Sequence, residues 1–227
     1  MEWRIFSGIP EEDVRAVLAL ARRSTYRRGE VVFHRYDPAD AVHLVTKGRF
    51  DVRVATQHGD EVALAIRGPG ETLGELAVVT QAERSATVTA LEPAETLVVR
   101  GSELRKLAQR HPSLDEVLVR LLAERVAFLS DRLVEAYTVD AETRVARRVL
   151  ELGRVYGTTP PITIPLIQDD LAALAGTSRA TVNRVLREAE RRGLVELGRG
   201  RTVLCDPEGM ARLARLPPAQ VGSSGPA

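Results

Sequence analysis

Gly74, Glu75, Arg84 and Ser85 fall in one short segment, Gly-Glu-Leu-Ala-Val-Val-Thr-Gln-Ala-Glu-Arg-Ser-Ala-Thr-Val-Thr-Ala from 74 to 90, and their chemistries complement one another. A glycine lets the backbone approach an anion closely, so that amide N–H groups can point at it. The Glu75 carboxylate accepts hydrogen bonds, which suits a sugar hydroxyl and repels a phosphate. The Arg84 guanidinium is a planar fork that matches phosphate oxygens, and Ser85 adds a hydroxyl donor beside it. One acceptor and one cationic fork at the two ends of a short helical turn suit a ribose that carries a cyclic phosphodiester. The simpler arrangement of the same residues is an ion pair between Glu75 and Arg84 across the loop.

A second constellation runs from Gln168 to Arg187. Leu171, Leu174 and Ala175 give one helix an apolar face, and Ala172 is small where another helix would cross. Gly176 supplies a turn residue, and Ser178 is placed to cap the next helix. On that helix Val182, Val185, Leu186 and Ala189 fall on one side. Arg179, Ala180, Asn183, Arg184 and Arg187 fall on the other. Such a helix buries one face and presents an arginine-rich one to a major groove. Arginine pairs with guanine O6 and N7, and asparagine with adenine N6 and N7. Gly193 to Leu197 and Arg201 to Leu204 then read as two strands around Gly198-Arg199-Gly200, a wing whose arginines can meet phosphates. Gln168 and Arg199 complete the expected DNA-facing set with Ser178, Arg179, Ala180, Asn183 and Arg184.

Elements that could position these groups are legible around them. Val14, Val17, Leu18 and Ala21 recur at helical spacing within 9 to 22, after Pro10. From about 24 to 100 the pattern becomes short apolar runs: Val31–Phe33, Val42–Val45, Val52–Val54, Val62–Ile66 and Leu97–Val99. Turn signals close them at Gly29, Lys47-Gly48-Arg49, His58-Gly59-Asp60 and Gly68-Pro69-Gly70. Many short strands with glycine turns predict a small barrel or β-roll, interrupted by the Gly74 segment. Ser102 is placed to cap a helix ending near His111-Pro112. A longer helix follows from Ser113 to Thr138 without glycine or proline. Its Leu118, Leu122, Val126, Leu129, Leu133 and Ala136 form a narrow apolar seam that calls for a parallel copy. Glu142 to Gly153 form a further helix after Asp140, then a loop at 157–161 and a short strand at Ile162–Ile164.

The net charge of +1 conceals an asymmetry. From residue 140 onward the chain has about three more basic than acidic groups, so a polyanion is expected to dock there. Cys205 is the sole cysteine, which excludes an intramolecular disulfide and points to a reducing cytoplasm. No apolar run approaches the length of a membrane span, and the N-terminus lacks a signal-peptide layout.

Gly74-Glu75-Leu76 and Arg84-Ser85-Ala86 together resemble the phosphate-binding cassette of cyclic-nucleotide-binding domains. That resemblance assigns the ribose 2′-hydroxyl to Glu75 and the cyclic phosphate to Arg84. Cassette, seam helix and winged helix-turn-helix, in this order, resemble the CRP/FNR family of transcription regulators over nearly the whole chain. The implied fold is α+β: an N-terminal, jelly-roll-like cyclic-nucleotide-binding β-roll at 1–112, a dimerisation helix and hinge at 113–139, and a winged helix-turn-helix domain at 140–216. A disordered tail is expected at 217–227. The resemblance implies a homodimer that binds pseudo-palindromic double-stranded DNA, an effector bound in the β-roll, and RNA polymerase as a partner. No cofactor or metal is implied.

Two positions depart from the family. Ser178-Arg179 and Arg184 fit its Ser-Arg-Glu-Thr-Val-x-Arg pattern, but Ala180 replaces the glutamate, so a carboxylate that could accept from cytosine N4 is missing. Where members that bind cyclic AMP place a Thr-Ser pair on the long helix against adenine, Leu129 and Ser130 stand here. Cyclic AMP is the expected effector, Ser130 its expected base contact, and cyclic GMP stays open. So does a regulator that needs no ligand and is controlled by its abundance. Iron–sulfur sensing lacks its cysteines, and a haem would have to use His34, His43, His58 or His111, all read as ordinary surface or strand residues. An enzyme is not expected, because the chain shows no P-loop, no His-Asp pair and no Cys/His/Asp grouping.

Overall fold

A computed structural model describes residues 2–56 and 61–216. Its contacts divide the chain into two compact units, Met1–Ser130 and Asp131–Ala227.

The first unit opens with a 3-10 turn at Arg4–Phe6 and helix α1 at Glu11–Ala19. Strands β1 (Arg22–Tyr26), β2 (Val31–Phe33), β3 (Ala41–Lys47), β4 (Phe50–Ala55), β5 (Glu61–Arg67) and β6 (Thr72–Leu73) follow. Helix α2 (Glu75–Thr80) interrupts the strands, which resume as β7 (Thr87–Ala90) and β8 (Ala94–Arg100). Helix α3 (Gly101–Arg110) then leads into α4 (Ser113–Thr138). The strands form two antiparallel four-stranded sheets, ordered β1-β8-β3-β6 and β2-β7-β4-β5. This is the expected β-roll.

Period-2 alternation explains how β3 can be buried along most of its length. Val42 and Leu44 point into a cluster with Trp3, Ile5, Val17, Leu107 and Leu114, which seals the outer face of the sheet with helices. Val45 points the other way, into a cluster with Phe50, Leu73, Val88 and Ala90 between the sheets. His43 shares that inner face, within 3.3 Å of both Tyr26 Oη and Thr96 Oγ1. Burial, assisted by the Arg84 charge, lowers its pKa to about 4, so the ring is neutral at pH 7. His43 is the strand histidine that the sequence suggested.

Two local expectations need correction. Helix α3 starts at Gly101 with Arg100 in the capping position, so Ser102 is not its cap. β8 runs unbroken to Arg100, and the Gly101 N–H donates to Asp40 O at 2.7 Å, which fixes the turn without a side chain. α1 is also shorter than the 9–22 periodicity, because Arg22 already pairs with Val98 in β1. The turn at His58-Gly59-Asp60 and the tail from Pro217 lie outside the described residues.

α4 has the predicted bounds. Leu114, Val117 and Leu118 are buried in its first turns. Farther along, Val126 is 64% and Leu133 58% exposed, and Leu129 is exposed as well.

In the second unit, α5 (Ala141–Tyr156) is followed by β9 (Ile162–Ile164), α6 (Gln168–Ala175), α7 (Arg179–Arg191), β10 (Val195–Gly198), β11 (Arg201–Leu204) and α8 (Pro207–Leu213). Asp140 caps α5: its carboxylate accepts from the Thr143 N–H at 2.8 Å and the Thr143 hydroxyl at 2.9 Å. The Thr143 N–H bond, with the hydroxyl, holds this carboxyl below its ordinary pKa. Val145, Ala146 and Val149 of α5 are buried, as are Leu171, Val182, Leu186 and Met210 on other helices of this unit. The three strands form an antiparallel sheet ordered β10-β11-β9.

Candidate ligand pocket and nucleic-acid interface

β6 delivers the chain into Gly74, whose φ of +78° is left-handed, and α2 starts at the next residue. Arg84 returns to the same place and is 3% exposed. Its Nη1 donates to Gly74 O at 3.0 Å and its Nη2 to Ala41 O at 2.8 Å. The guanidinium lies 4.2 Å from the centre of the Phe33 ring, a cation–π seat. The backbone on either side is fixed by Tyr36 N–H donating to Arg84 O at 2.8 Å and Arg84 N–H donating to Asp37 O at 2.9 Å.

Arg84 is a buried cation without a carboxylate within ion-pair distance among the described residues, and its Nε has no hydrogen-bond partner. Burial lowers its pKa, opposed by the charges of Asp40, Asp37 and Glu75. The simple Glu75–Arg84 pair is therefore not what forms. Glu75 faces another cation, with its Oε1 3.9 Å from Arg125 Nη1.

The sequence reading missed two pocket arginines, Arg67 on β5 and Arg125. Arg125 reaches the pocket from α4, one heptad beyond the buried Leu118, so an arginine on an otherwise inward-facing stripe was the available signal. Burial lowers its pKa and the Arg67 charge adds to this, while Glu75 and Glu71 oppose. Gly74, Glu75, Leu76, Arg84, Ser85 and Ala86 all line the pocket, over an apolar wall that includes Phe33, Val52, Leu73 and Val88. Ser130 does not line it; this residue is exposed on α4.

A methyl group at Gly74 would overlap Arg84 Nη1, on a backbone conformation that disfavours side chains. Gly74→Ala is expected to displace the guanidinium, lowering stability by about 1–3 kcal/mol and weakening nucleotide binding in the same protein. Thermal denaturation and titration of the purified variant check both; unchanged values for both would contradict this account of Gly74.

The second constellation forms a helix-turn-helix. α6 ends in left-handed Gly176, with φ +57°. The Ser178 hydroxyl accepts from the Thr181 N–H at 3.2 Å and caps α7. Val182, Val185, Leu186 and Ala189 are buried, while Arg179, Ala180, Asn183, Arg184 and Arg187 are exposed, as the periodicity predicts. Ser178 is exposed and Gln168 half-buried. Arg199 sits at the exposed tip of the β10–β11 wing, where Gly198 pairs with Arg201. Arg144, absent from the sequence reading, ties the turn to α5: its Nε donates to Ala175 O at 2.9 Å and its Nη2 to Gly176 O at 3.0 Å. The guanidinium thereby satisfies carbonyls that the end of α6 leaves open.

Among the described residues no group of histidine, cysteine and carboxylate side chains could hold a metal ion. No helix among them is long and apolar enough to cross a membrane.

Comparison with known proteins finds both parts. The model of the cyclic nucleotide-binding domain matches residues 23–111, and that of the Crp-like helix-turn-helix domain residues 143–213. The cyclic AMP receptor protein of Thermus thermophilus is 37% identical over 198 residues, covering 86% of this chain and 89% of that one. The CRP-like cAMP-activated global transcriptional regulator of Mycobacterium tuberculosis is 28% identical over 215 residues, covering 93% and 96%. The structure of the c-di-GMP responsive global regulator CLP of Xanthomonas campestris superposes with a TM-score of 0.75 at 21% identity, covering 86% of this chain and 99% of that one, which shows a shared fold. The chain belongs to the CRP/FNR family of DNA-binding transcription regulators, with a cyclic nucleotide-binding domain ahead of its helix-turn-helix.

Proposed function

We propose that this regulator is a homodimer that binds cyclic AMP in the β-roll pocket and, once loaded, binds a pseudo-palindromic DNA site through Arg179, Asn183 and Arg184, acting in the cytoplasm with RNA polymerase as its partner. The observation that supports this most is Arg84, a guanidinium buried against two carbonyls and an aromatic ring with no carboxylate partner among the described residues. Charge in the pocket fits the same ligand. Arg67, Arg84 and Arg125 line the pocket, with Glu75 the carboxylate among the lining residues, so the lining is net cationic. A cyclic phosphodiester brings one negative charge. Its ribose hydroxyl would meet Glu75, which Arg125 orients. The names of the Thermus and Mycobacterium relatives favour cyclic AMP over cyclic GMP. The exposed seam of Val126, Leu129 and Leu133 on α4 supports pairing with a second copy.

A ligand that couples to DNA must favour the DNA-competent dimer, by a coupling free energy of about 1–3 kcal/mol, or roughly 5- to 150-fold in affinity. Fluorescence anisotropy with a duplex selected from a random pool, with and without cyclic AMP, measures this factor directly. Tightening in that range is expected. Equal affinity in both conditions would favour the second reading, a regulator controlled by its abundance, for which Leu129 and the absence of Ser130 from the pocket lining argue.

A further inference from the structure

Two arginines on the outer face of α7, Arg179 and Arg184, are engaged by carboxylates from other helices, whereas Arg187 pairs with Glu190 of α7 itself. Arg179 Nη1 lies 3.3 Å from Asp169 Oδ2, in the first turn of α6. Arg184 Nη1 donates to Glu142 Oε1, in the first turn of α5. All four side chains are more than half exposed, so water screens both pairs and neither is needed to hold the fold. Placed beside the groove-reading face, a carboxylate also repels DNA phosphates. Its position therefore weakens DNA binding unless it serves the contact that Arg179 or Arg184 makes.

Donor geometry supplies that service. A guanidinium has five N–H donors, of which guanine O6 and N7 take two, so one arginine can hold a carboxylate and a guanine at once. A phosphate contact is different, because the carboxylate and the phosphate are both anions crowding the same cation. A carboxylate beside the guanidinium thus favours a base edge over the backbone. It also removes side-chain freedom before docking, at the residue whose orientation decides which base is accepted.

We propose that Asp169 and Glu142 are positioning residues for Arg179 and Arg184, aiming them at base edges and away from phosphates, and so set how strictly this regulator reads sequence. This rests on the reading above that Arg179 and Arg184 face the bases. In this protein Ala180 has no carboxylate of its own to offer a base, so discrimination depends more heavily on how the flanking arginines are held.

The test uses the full-length protein with saturating cyclic AMP at one salt concentration. Anisotropy is measured for wild type, Asp169→Asn, Glu142→Gln and Arg179→Ala on the selected duplex, on its single-base-pair variants and on a random-sequence duplex. Asp169→Asn is expected to tighten binding to the random duplex by about three- to tenfold, through lost phosphate repulsion. It should also reduce discrimination about fivefold at the base pair that Arg179→Ala relaxes, leaving the other positions unchanged. Glu142→Gln should do the same at a different base pair. Unchanged discrimination at those positions, with or without a general gain in affinity, would make the carboxylates plain surface charges and overturn the proposal. If Arg179→Ala relaxes no base pair, the assignment of Arg179 to a base fails instead.

Discussion

Replacing Arg84 by alanine is expected to weaken cyclic AMP binding by about 10- to 100-fold, since a hydrogen bond to a charged group contributes about 1.5–3 kcal/mol. The magnitude follows from where Arg84 lies. Its guanidinium is out of water, so its interaction with a phosphate is weakly screened, and its unpartnered Nε adds a donor. Arg84→Lys should recover only part of the affinity, because an ammonium keeps the charge but loses the fork and the flat stacking surface over Phe33. Losing the guanidinium also deprives Gly74 O and Ala41 O of their donor, so a modest loss of stability is expected alongside. Wild-type affinity in Arg84→Ala would remove this residue from the ligand site.

The largest effect on stability is expected at Glu135, near the end of α4. Its Oε2 accepts from Arg132 at 3.2 Å and from Arg148, and its Oε1 accepts from Arg147 at 3.0 Å. Arg148 is 3% exposed, and its other carboxylate partner is Glu151, at 3.1 Å. Burial raises the Glu151 pKa while Arg132 opposes the shift, and without Glu135 it is Glu151 that remains paired with Arg132 and Arg148. Alanine at Glu135 leaves a buried guanidinium short of charge, a change that costs about 3–5 kcal/mol when one partner of a buried pair is removed. Glu135→Gln, which keeps an acceptor but not the charge, should cost less. Urea denaturation followed by circular dichroism and by DNA affinity checks this in the unit from Asp131 onward. A loss under about 1 kcal/mol in Glu135→Ala would show that Glu151 suffices.

Motifs were legible where the physics is local. The left-handed Gly176, the Ser178 cap and the four buried positions of α7 all lie within one stretch of chain, and the helix-turn-helix they predict is the one that forms. The cassette is local in the same sense, as is α4, which has no residue to break it. Elements set by distant partners were not legible. β1 reads Arg-Arg-Ser-Thr-Tyr, with little apolar content, and is a strand because β8 pairs along it. β6 has two residues and exists only by its register with His43 and Leu44. The strand β7 was hidden by its position directly after the cassette, and α8 by lying beyond the wing.

Gly153 misled in the opposite direction. It reads as a helix stop, yet α5 continues to Tyr156. A methyl group there would lie 2.7 Å from Leu204 Cδ2, so the glycine marks a close approach of helix and strand within the second unit. The pocket shows the same division. Gly74, Glu75 and Arg84 were found from their spacing, whereas Arg125 comes from a helix far along the chain and Ser130, expected from register alone, stays outside the lining.

Isothermal titration of the purified protein with cyclic AMP and cyclic GMP, after removal of bound nucleotide, tests the sensor directly. Saturable binding of cyclic AMP that falls steeply in Arg84→Ala, with weaker binding of cyclic GMP, is the predicted result. No heat of binding with either nucleotide, at concentrations well above the micromolar range, would contradict a cyclic-nucleotide site at Arg84.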